Sequence, residues 1–367
     1  MRSDIVDFAG LARGPQIIGK HRREPKPLGV AVVGYGYWGP NLVRNAMERP
    51  EFELRTLCER DPQRAEAFSA KIPGVPVTPN LDDVLADPDI DAVIVATPPR
   101  THHAICRAAL EAGKHVLVEK PLATTSADAQ DLVDLAEERG LVLMPGHTFV
   151  YSPAVNKVRD LILEDVVGEV YFVTSARMNL GKYQPDGVVC DLAPHDISIL
   201  LYWLEEPVVE VAASARSVFQ KGIPEAAFIT LTFASGTAAN IQVSWLAPRK
   251  IREMVVVGSH RMVHYDDTAA DESVRIYDRG MEFSPETFGE HQLSYRTGDI
   301  IVPRLDAVEP LSAELEDFAR SILTGGVPRS NAQLGLEIVS TIEAAEASLR
   351  RRGTPVVPVG AAERVAA

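Results

Sequence analysis

Residues 29–39 read GVAVVGYGYWG, and this stretch decides the fold. It begins with a short apolar run, which is typical of a β-strand buried on both faces. Three glycines follow with the spacing G-x-G-x-x-G, and a helical stretch is predicted over about residues 38–48. A buried strand, a glycine-rich turn and a helix in this order predict a turn that holds the pyrophosphate of a dinucleotide.

Each glycine of the turn has a physical reason to lack a side chain. Gly34 permits the tight turn, Gly36 lets the pyrophosphate approach the backbone, and Gly39 lets the helix pack near the strand. The free N–H groups and positive dipole end of the helix then face the phosphates. Tyr37 and Trp38 are further candidate cofactor contacts, although Trp38 can instead cover the helix. The alternative reading of the whole turn is a plain strand-to-helix connection.

The choice between NAD and NADP rests on two adjacent residues. Glu59 lies 20 residues after Gly39, where the second strand is expected to end. A carboxylate there accepts the ribose hydroxyls of NAD and repels the 2′-phosphate of NADP. Arg60 follows directly and can bind that phosphate instead. The pair favours NAD and leaves NADP possible.

Strand-like and helix-like segments alternate up to about residue 148, and the pattern then changes. The alternation predicts a doubly wound parallel sheet with helices on both faces, a Rossmann domain over residues 29–148. Several β-like runs joined by short turns predict an α+β domain with an open antiparallel or mixed sheet over 149–355. The last helix of this domain is a candidate to pack back on the Rossmann domain. Residues 1–28 are predicted to be an N-terminal extension and 356–367 a tail.

Composition excludes several classes of protein. The chain has 367 residues, enough for two domains, and 37 Lys and Arg against 51 Asp and Glu give a net charge of −14. This acidic balance argues against nucleic acid and against an anionic membrane surface as partners.

We find no apolar window long enough to span a bilayer and no secretory leader. Cys58, Cys106 and Cys190 are odd in number and far apart, which favours reduced thiols in the cytoplasm. No metal site is predicted, because no ligand cluster has a suitable spacing.

Two further motifs give the chain a family resemblance. V-E-K-P at 118–121 follows the fifth predicted strand, and D-x-x-x-H at 191–195 lies in a predicted helix. Together with the glycine turn, they resemble the glucose–fructose oxidoreductase, inositol dehydrogenase and MocA (Gfo/Idh/MocA) family, over about residues 29–350. The resemblance implies a Rossmann domain followed by a domain with an open sheet. One sheet face would cover the active site, and the other commonly forms a subunit interface, so a dimer or tetramer is expected. The resemblance to members acting on nucleotide-activated sugars rests on DLAPHDISILLYWL and on Gly298, Pro303 and Glu309–Leu311.

The candidate catalytic residues come from these two motifs. Lys120 is predicted at the carboxyl end of a buried strand, where ligands of such sheets bind. By resemblance it is catalytic, and its peptide bond to Pro121 is often cis. Asp191 and His195 are four residues apart and share a helix face. Oxidation of an alcohol needs a group that removes the hydroxyl proton, and imidazole suits that task. The resemblance gives His195 the acid–base role and Asp191 a substrate-positioning role. Pro194 predicts that the helix begins close to Asp191.

Other candidate site residues have weaker signals, and each has a plain structural alternative. Thr97 and Pro98 end the fourth strand and are expected under the nicotinamide ribose. His102 begins the next helix, as a cofactor contact or a residue of the helix cap. His147 follows the sixth strand at a position where many family members have Asn or Arg. Glu119, in the V-E-K-P motif, is a further candidate cofactor contact. Candidate substrate contacts are Lys120, Asp191, His195, Arg177, Lys182, Tyr183 and Arg249.

The sequence therefore predicts an NAD(P)-dependent oxidoreductase. It would move a hydride between nicotinamide and a secondary alcohol or ketone of a sugar, and family analogy favours C3 of a nucleotide-activated hexose. One alternative is a dehydrogenase of free sugars or inositols. Another is a non-catalytic NAD(P)-binding sensor, against which the presence of Lys120, Asp191 and His195 argues.

Overall fold

The computed structural model of the protein describes residues 26–181, 183–283 and 293–366. The candidate substrate contact Lys182 lies outside the described residues, as does nearly all of the predicted N-terminal extension.

The N-terminal half is built on a six-stranded, fully parallel sheet. Its strand order is β3-β2-β1-β4-β5-β6, which reverses direction next to β1 as in a dinucleotide-binding Rossmann fold. The strands are β1 Leu28–Val33, β2 Phe52–Cys58, β3 Val77–Thr78, β4 Ala92–Val95, β5 His115–Glu119 and β6 Leu143–Gly146. The helices between them are α1 Gly39–Glu48, α2 Pro62–Lys71, α3 Leu81–Ala86, α4 His102–Glu111 and α5 Ser126–Arg139.

The C-terminal half is built on an eight-stranded mixed sheet. The central strand β7 (Val170–Leu180) pairs in parallel with β10 (Ala238–Ser244) and in an antiparallel manner with β11 (Leu246–Gly258). The remaining pairs are antiparallel. The other strands are β8 Val208–Arg216, β9 Ala226–Phe233, β12 Met262–Asp266, β13 Val274–Phe283 and β14 Leu293–Ile301. The helices of this half are α6 Pro153–Leu163, α7 Gly187–Leu204, α8 Pro310–Thr324, α9 Ala332–Arg350 and α10 Ala361–Ala366.

Two helices from the end of the chain complete the core of the first half. Alternate residues of β1 point into separate cores on the two sides of the Rossmann sheet, because successive side chains of a strand face opposite ways. Helix α8 fills one core with Leu315 and Phe318, and α9 fills the other with Leu336 and Val339. Helix α9 also packs on β8 and α7 of the second half. The two halves therefore share α9.

The predicted fold class is confirmed: a parallel Rossmann sheet precedes a domain with a mixed sheet. Two elements were not predicted. The strand β14 lies where the sequence analysis saw only a family motif, and the predicted tail contains α10 and a bridge from Val356 to Val211. Neither β14 nor the tail has a clear apolar repeat in its sequence. Their structure depends on the segments they pair with or pack on, which a local pattern does not show.

Helix α7 corrects two sequence expectations. It begins at Gly187 rather than near Asp191, so Pro194 is its eighth residue and lies in the helix interior. The early start is supported from outside the helix, because the N–H of Val188 donates to the carbonyl of Pro224. Contrary to the expectation that no apolar window is long enough, α7 has the length and composition of a membrane span. However, 67% of that window is buried inside the protein, as is usual for a core helix.

Candidate functional site

A cleft of about 1430 Å³ runs along the carboxyl edge of the Rossmann sheet and ends against the second domain. Its walls come from the glycine turn, from the segments that follow β2, β4 and β5, and from α7 and the ends of β7 and β10. Eleven residues predicted from the sequence line it: Gly34, Gly36, Tyr37, Trp38, Glu59, Arg60, Thr97, Pro98, Glu119, Lys120 and Asp191. Seven others are not among the lining residues: Gly39, His102, His147, Arg177, Tyr183, His195 and Arg249.

The glycine turn has the geometry that its three glycines require. Gly34 has φ +96°, and a Cβ there would lie 2.8 Å from the carbonyl oxygen of Ala96. A Cβ on Gly39 would lie 2.5 Å from the carbonyl oxygen of Gly34. A Cβ on Gly36 would meet only Nη1 of Arg64, at 3.7 Å, so the space above Gly36 is open for a ligand to approach the backbone. The turn therefore leaves room for a ligand over Gly36 and for no side chain at Gly34 or Gly39.

Glu59 ties the glycine turn to the next helix. Its carboxylate accepts hydrogen bonds from the backbone N–H of Tyr35 (2.6 Å) and of Asp61 (2.8 Å), one on each oxygen. Each oxygen keeps a further lone pair, so the carboxylate can still accept ribose hydroxyls. Arg60 and Arg64 line the same end of the cleft. This end therefore offers both a carboxylate and two guanidinium groups to the adenosine half of a dinucleotide.

His102 has a structural position, which corrects its candidate role as a cofactor contact. Its ring is fully buried, with Nδ1 2.7 Å from the carbonyl oxygen of Pro121 and Nε2 2.8 Å from that of Thr97. The ring thus bridges the segments that follow β4 and β5. A neutral ring donates to one of these two carbonyls, and only the imidazolium could donate to both. The backbone faces both nitrogens, and His102 is not among the residues that line the cleft.

Lys120 connects the two domains at the inner end of the cleft. Its peptide bond to Pro121 is cis, as the family resemblance implies. The ammonium donates to the backbone carbonyl of Asp191 at 3.0 Å, whereas the nearest carboxylate oxygen of Asp191, Oδ1, is 4.0 Å away. Burial lowers the pKa of Lys120 from its usual value, and the charges of Asp191 and Glu119 oppose that shift. An ammonium in this position can bind the oxygen of a reacting carbinol or ketone.

The second carboxylate oxygen of Asp191 has a partner that sequence reasoning missed. Nε1 of Trp245 donates to Oδ2 of Asp191 at 3.0 Å. Trp245 lies at the corner between β10 and β11, and its indole lines the cleft. The ring of Tyr183 lies 5.4 Å from the indole. Tyr183 therefore lies beside the substrate end of the cleft, next to Trp245.

His195 lies one helical turn after Asp191 and is half-buried. Its imidazole meets the ring of Phe149 edge-on at 5.1 Å. Burial lowers the pKa of His195 well below its usual value, and the positive charges of Lys120 and Arg177 lower it further. The imidazole is therefore neutral at physiological pH and able to accept a proton.

His147 is the most unusual polar residue near this site. Its side chain is buried, and neither ring nitrogen has a hydrogen-bond partner within the described ranges of the chain. Burial, followed by the nearby charge of Lys120, lowers the pKa of His147 to about 3, so the ring is neutral. A neutral imidazole carries one donor and one acceptor, and leaving both unpaired in the interior is costly.

Two predicted substrate contacts are placed elsewhere by the structure. Arg177 lies on the buried face of β7 and forms a two-point ion pair with Asp196 (2.9 and 3.1 Å) beneath the ring of Phe149. Its strand and charge suggested a ligand, but its charge is used inside the protein. Arg249 is exposed on β11, away from the cleft.

Two acids, the half-buried Glu119 and the buried Glu314, lie close to each other near Lys120. Burial raises the pKa of Glu119 to about 7, and the charge of Lys120 lowers it again only in part. Glu314, from α8, is buried nearby and accepts a hydrogen bond from the hydroxyl of Thr148 at 2.7 Å. Burial, with the charge of Glu119, raises the pKa of Glu314 well above its usual value. Burial therefore favours the neutral, protonated form of both acids.

Several cleft residues were not found from the sequence, because they lie between or outside its motifs. They are Arg64, Arg100, Asn179, Gln184 and Trp245. Arg64 is the exception that a local signal could have revealed, because it lies on the helix that directly follows Glu59.

Comparison with known proteins assigns the family. Residues 28–147 match the Gfo/Idh/MocA oxidoreductase family with its NAD-binding Rossmann fold, and residues 155–264 match the C-terminal domain of the same family. The chain belongs to the Gfo/Idh/MocA family. It is thus an oxidoreductase, and its N-terminal domain is an NAD-binding Rossmann domain.

Relatives within the Gfo/Idh/MocA family include two enzymes of sugar nucleotides. The chain is 30% identical to dTDP-3,4-didehydro-2,6-dideoxy-alpha-D-glucose 3-reductase of Saccharopolyspora spinosa, over 59% of this chain and 68% of that protein. It is also 30% identical to UDP-N-acetylglucosamine 3-dehydrogenase of Acidithiobacillus ferrooxidans, over 74% of this chain and 81% of that protein. A crystal structure of GenD2 from gentamicin A biosynthesis in complex with NAD superposes with a TM-score of 0.76 at 26% identity, covering 95% of this chain and 99% of GenD2.

Proposed function

We propose that this protein oxidises or reduces C3 of a nucleotide-activated hexose with NAD as the hydride carrier. The observation that carries the proposal is that the ammonium of Lys120 lies 4.0 Å from the carboxylate of Asp191, in one cleft that also contains the glycine turn. The two 30% identical relatives support the choice of carbon and substrate, because both are named as acting at position 3 of a nucleotide sugar.

The catalytic roles follow from charge and position. When bound, NAD supplies a carbon that accepts or returns a hydride. The Lys120 ammonium binds the reacting sugar oxygen and stabilises the negative charge that grows there during oxidation. The neutral imidazole of His195 takes the hydroxyl proton, and in the direction of reduction the same nitrogen returns it. The carboxylate of Asp191 orients the sugar through a neighbouring hydroxyl.

The cofactor would be held mainly by the turn and by strand ends. The open backbone at Gly36 receives the pyrophosphate, and Glu59 receives the adenosine ribose hydroxyls. We assign the ring of His147 to the carboxamide of nicotinamide, because that amide offers an acceptor and a donor to the two ring nitrogens, which have no partner in the described part of the chain. The other contacts we propose are Gly34, Tyr37, Trp38, Gly39, Arg60, Thr97, Pro98, Glu119 and Lys120.

The test is a substrate panel followed by identification of the product. We expect UDP-N-acetylglucosamine or a dTDP-hexose to give NADH with a kcat/KM at least about a hundredfold above that of the free sugars, since the nucleotide adds binding contacts. NMR of the trapped product should show a ketone at C3. Equal turnover of the free and the nucleotide-linked sugar, or a ketone at another carbon, would refute the proposal.

A dehydrogenase of free sugars is the second candidate. One relative, D-xylose 1-dehydrogenase (NADP(+)) 2 of Haloferax volcanii, is 25% identical and matches over 94% of its own length. The two guanidinium groups of Arg60 and Arg64 beside Glu59 are compatible with a 2′-phosphate. The same panel, run with NAD and NADP, separates the two candidates.

We further propose that the exposed face of the eight-stranded sheet joins subunits into a dimer or tetramer. Phe172 and Phe228 are large apolar residues on that face and are 44% and 47% exposed. Apolar patches of this kind commonly mark interfaces. The cytoplasm remains the expected compartment, because the three cysteines are free thiols, two of them buried.

A further inference from the structure

Trp245 makes a polar contact with the candidate catalytic machinery that the roles above leave unexplained. Its side chain is 3% exposed, and its single hydrogen-bond donor, Nε1, is directed at Oδ2 of Asp191. A buried indole N–H needs an acceptor, and here the acceptor is a carboxylate of the candidate site. The contact thus links the corner between β10 and β11 to α7.

Lys120 does not orient the Asp191 carboxylate by itself. The lysine donates to the backbone carbonyl of Asp191 at 3.0 Å and lies 4.0 Å from Oδ1. The side chain of Asp191 would be free to rotate about its own bonds without changing that 3.0 Å contact. The indole fixes Oδ2, so that Oδ1 is the oxygen left to face the ammonium and the substrate.

The backbone around Trp245 keeps the indole in this place. The N–H of Trp245 donates to the carbonyl of Glu225 at 2.9 Å, and its carbonyl accepts from the N–H of Gly181 at 3.1 Å. A Cβ on Gly181 would lie 2.6 Å from Cδ1 of the indole, so only glycine fits against this ring. Trp245 is therefore held by the residue before β9, by the residue after β7 and by the carboxylate together.

We propose that Trp245 is a positioning residue that sets the Asp191 carboxylate for the substrate hydroxyl next to the reacting carbon. In this role Trp245 acts through Asp191, to which its only hydrogen-bond donor is directed. The kinetic part of this role rests on the proposed function, whereas the hydrogen bond itself does not.

The first experiment tests the hydrogen bond in the protein without substrate. Protein labelled with ¹⁵N-tryptophan gives indole signals from its three tryptophans, and W245F identifies the signal of Trp245. We expect that signal to move upfield in D191A, because the N–H loses a charged acceptor. The indole of Trp203 donates to the carbonyl of Val155 and is the internal control. An unchanged Trp245 signal in D191A would overturn the proposal.

The second experiment is a double-mutant cycle with the nucleotide sugar that the wild type turns over best. We expect W245F to lower kcat/KM about ten- to a hundredfold in the wild type and less than about threefold in D191A, where there is no carboxylate to orient. NAD affinity should stay the same in W245F. Equal losses in both backgrounds would show a merely structural role. If the wild type turns over no sugar nucleotide, the proposed function fails, while the NMR signal still decides the positioning contact.

Discussion

The two ends of the cleft are built in different ways. The cofactor end consists mainly of backbone: a turn without side chains at Gly34 and Gly36, and the start of α1. The substrate end consists of side chains from separate elements, with Lys120 after β5, Asp191 on α7 and Trp245 at a strand corner. A site made of backbone is encoded locally, whereas a site made of side chains needs the fold to bring them together.

Removing Lys120 should give the largest effect and should leave the cofactor end intact. We expect K120A to lower kcat about a thousandfold or more, because the reacting oxygen loses its cation. The NAD dissociation constant should rise by less than about tenfold, as measured by titration calorimetry, because Lys120 is only one of the proposed cofactor contacts and the glycine turn still holds the pyrophosphate. K120R, which keeps the charge, is the matched control. Loss of NAD binding in K120A with a normal melting curve would show that the two ends are not separable.

Replacing His195 should lower the rate by a smaller factor and change its pH dependence. We expect H195Q to lower kcat about a hundredfold. Because the pKa of His195 is lowered, the base is already deprotonated at neutral pH, so wild-type oxidation should lose rate only well below pH 6.5. Because the pKa of Lys120 is also lowered, the alkaline loss should begin below pH 10.5.

The pH profile of kcat/KM checks both limbs. H195Q should lose the acidic limb and keep the alkaline one. An acidic limb centred at or above pH 6.5 in the wild type, or one that persists in H195Q, would assign the base to another group.

Two glycines test whether the glycine turn needs the room left by a missing side chain or only the freedom to adopt a positive φ. Gly34 and Gly74 have nearly the same φ, +96° and +98°, but only a Cβ at Gly34 would collide with the chain. We expect G34A to weaken NAD binding about tenfold more than G74A, because both variants share the strain of positive φ. Binding titrations and melting temperatures of the two variants give the comparison. If G34A and G74A weaken NAD binding equally, the chain accommodates the added Cβ next to Ala96 without loss of affinity.

Local sequence patterns predicted the first domain and the candidate motifs. They did not predict the role of a polar residue whose partners are buried in the folded chain. The glycine turn, V-E-K-P and D-x-x-x-H each occupy a few consecutive residues, and their placement needed no long-range contact. Arg177 was a candidate substrate contact because it ends a predicted strand of the second domain. His102 was a candidate cofactor contact, or a residue of the helix cap, because it begins the helix after the fourth strand. Their partners, Asp196 and the carbonyls of Thr97 and Pro121, exist only in the folded chain.

Residues without a motif could not be found in advance. Trp245 is one apolar residue in a β-like run, and its role depends on Asp191, 54 positions away. Pro194 misled the prediction of the helix start, because a proline is most easily accommodated in a first turn. The N–H of Val188 finds its acceptor at Pro224, which supports an earlier start that no local rule shows.

The return of α8 and α9 to the Rossmann sheet matters while the protein is being synthesised. On the ribosome, both faces of that sheet lack part of their apolar cover until residues 311–339 have emerged. During that interval the nascent first half would expose apolar surface, to which a chaperone could bind. A stop codon anywhere before α8 would yield not a working nucleotide-binding fragment but a chain prone to aggregate.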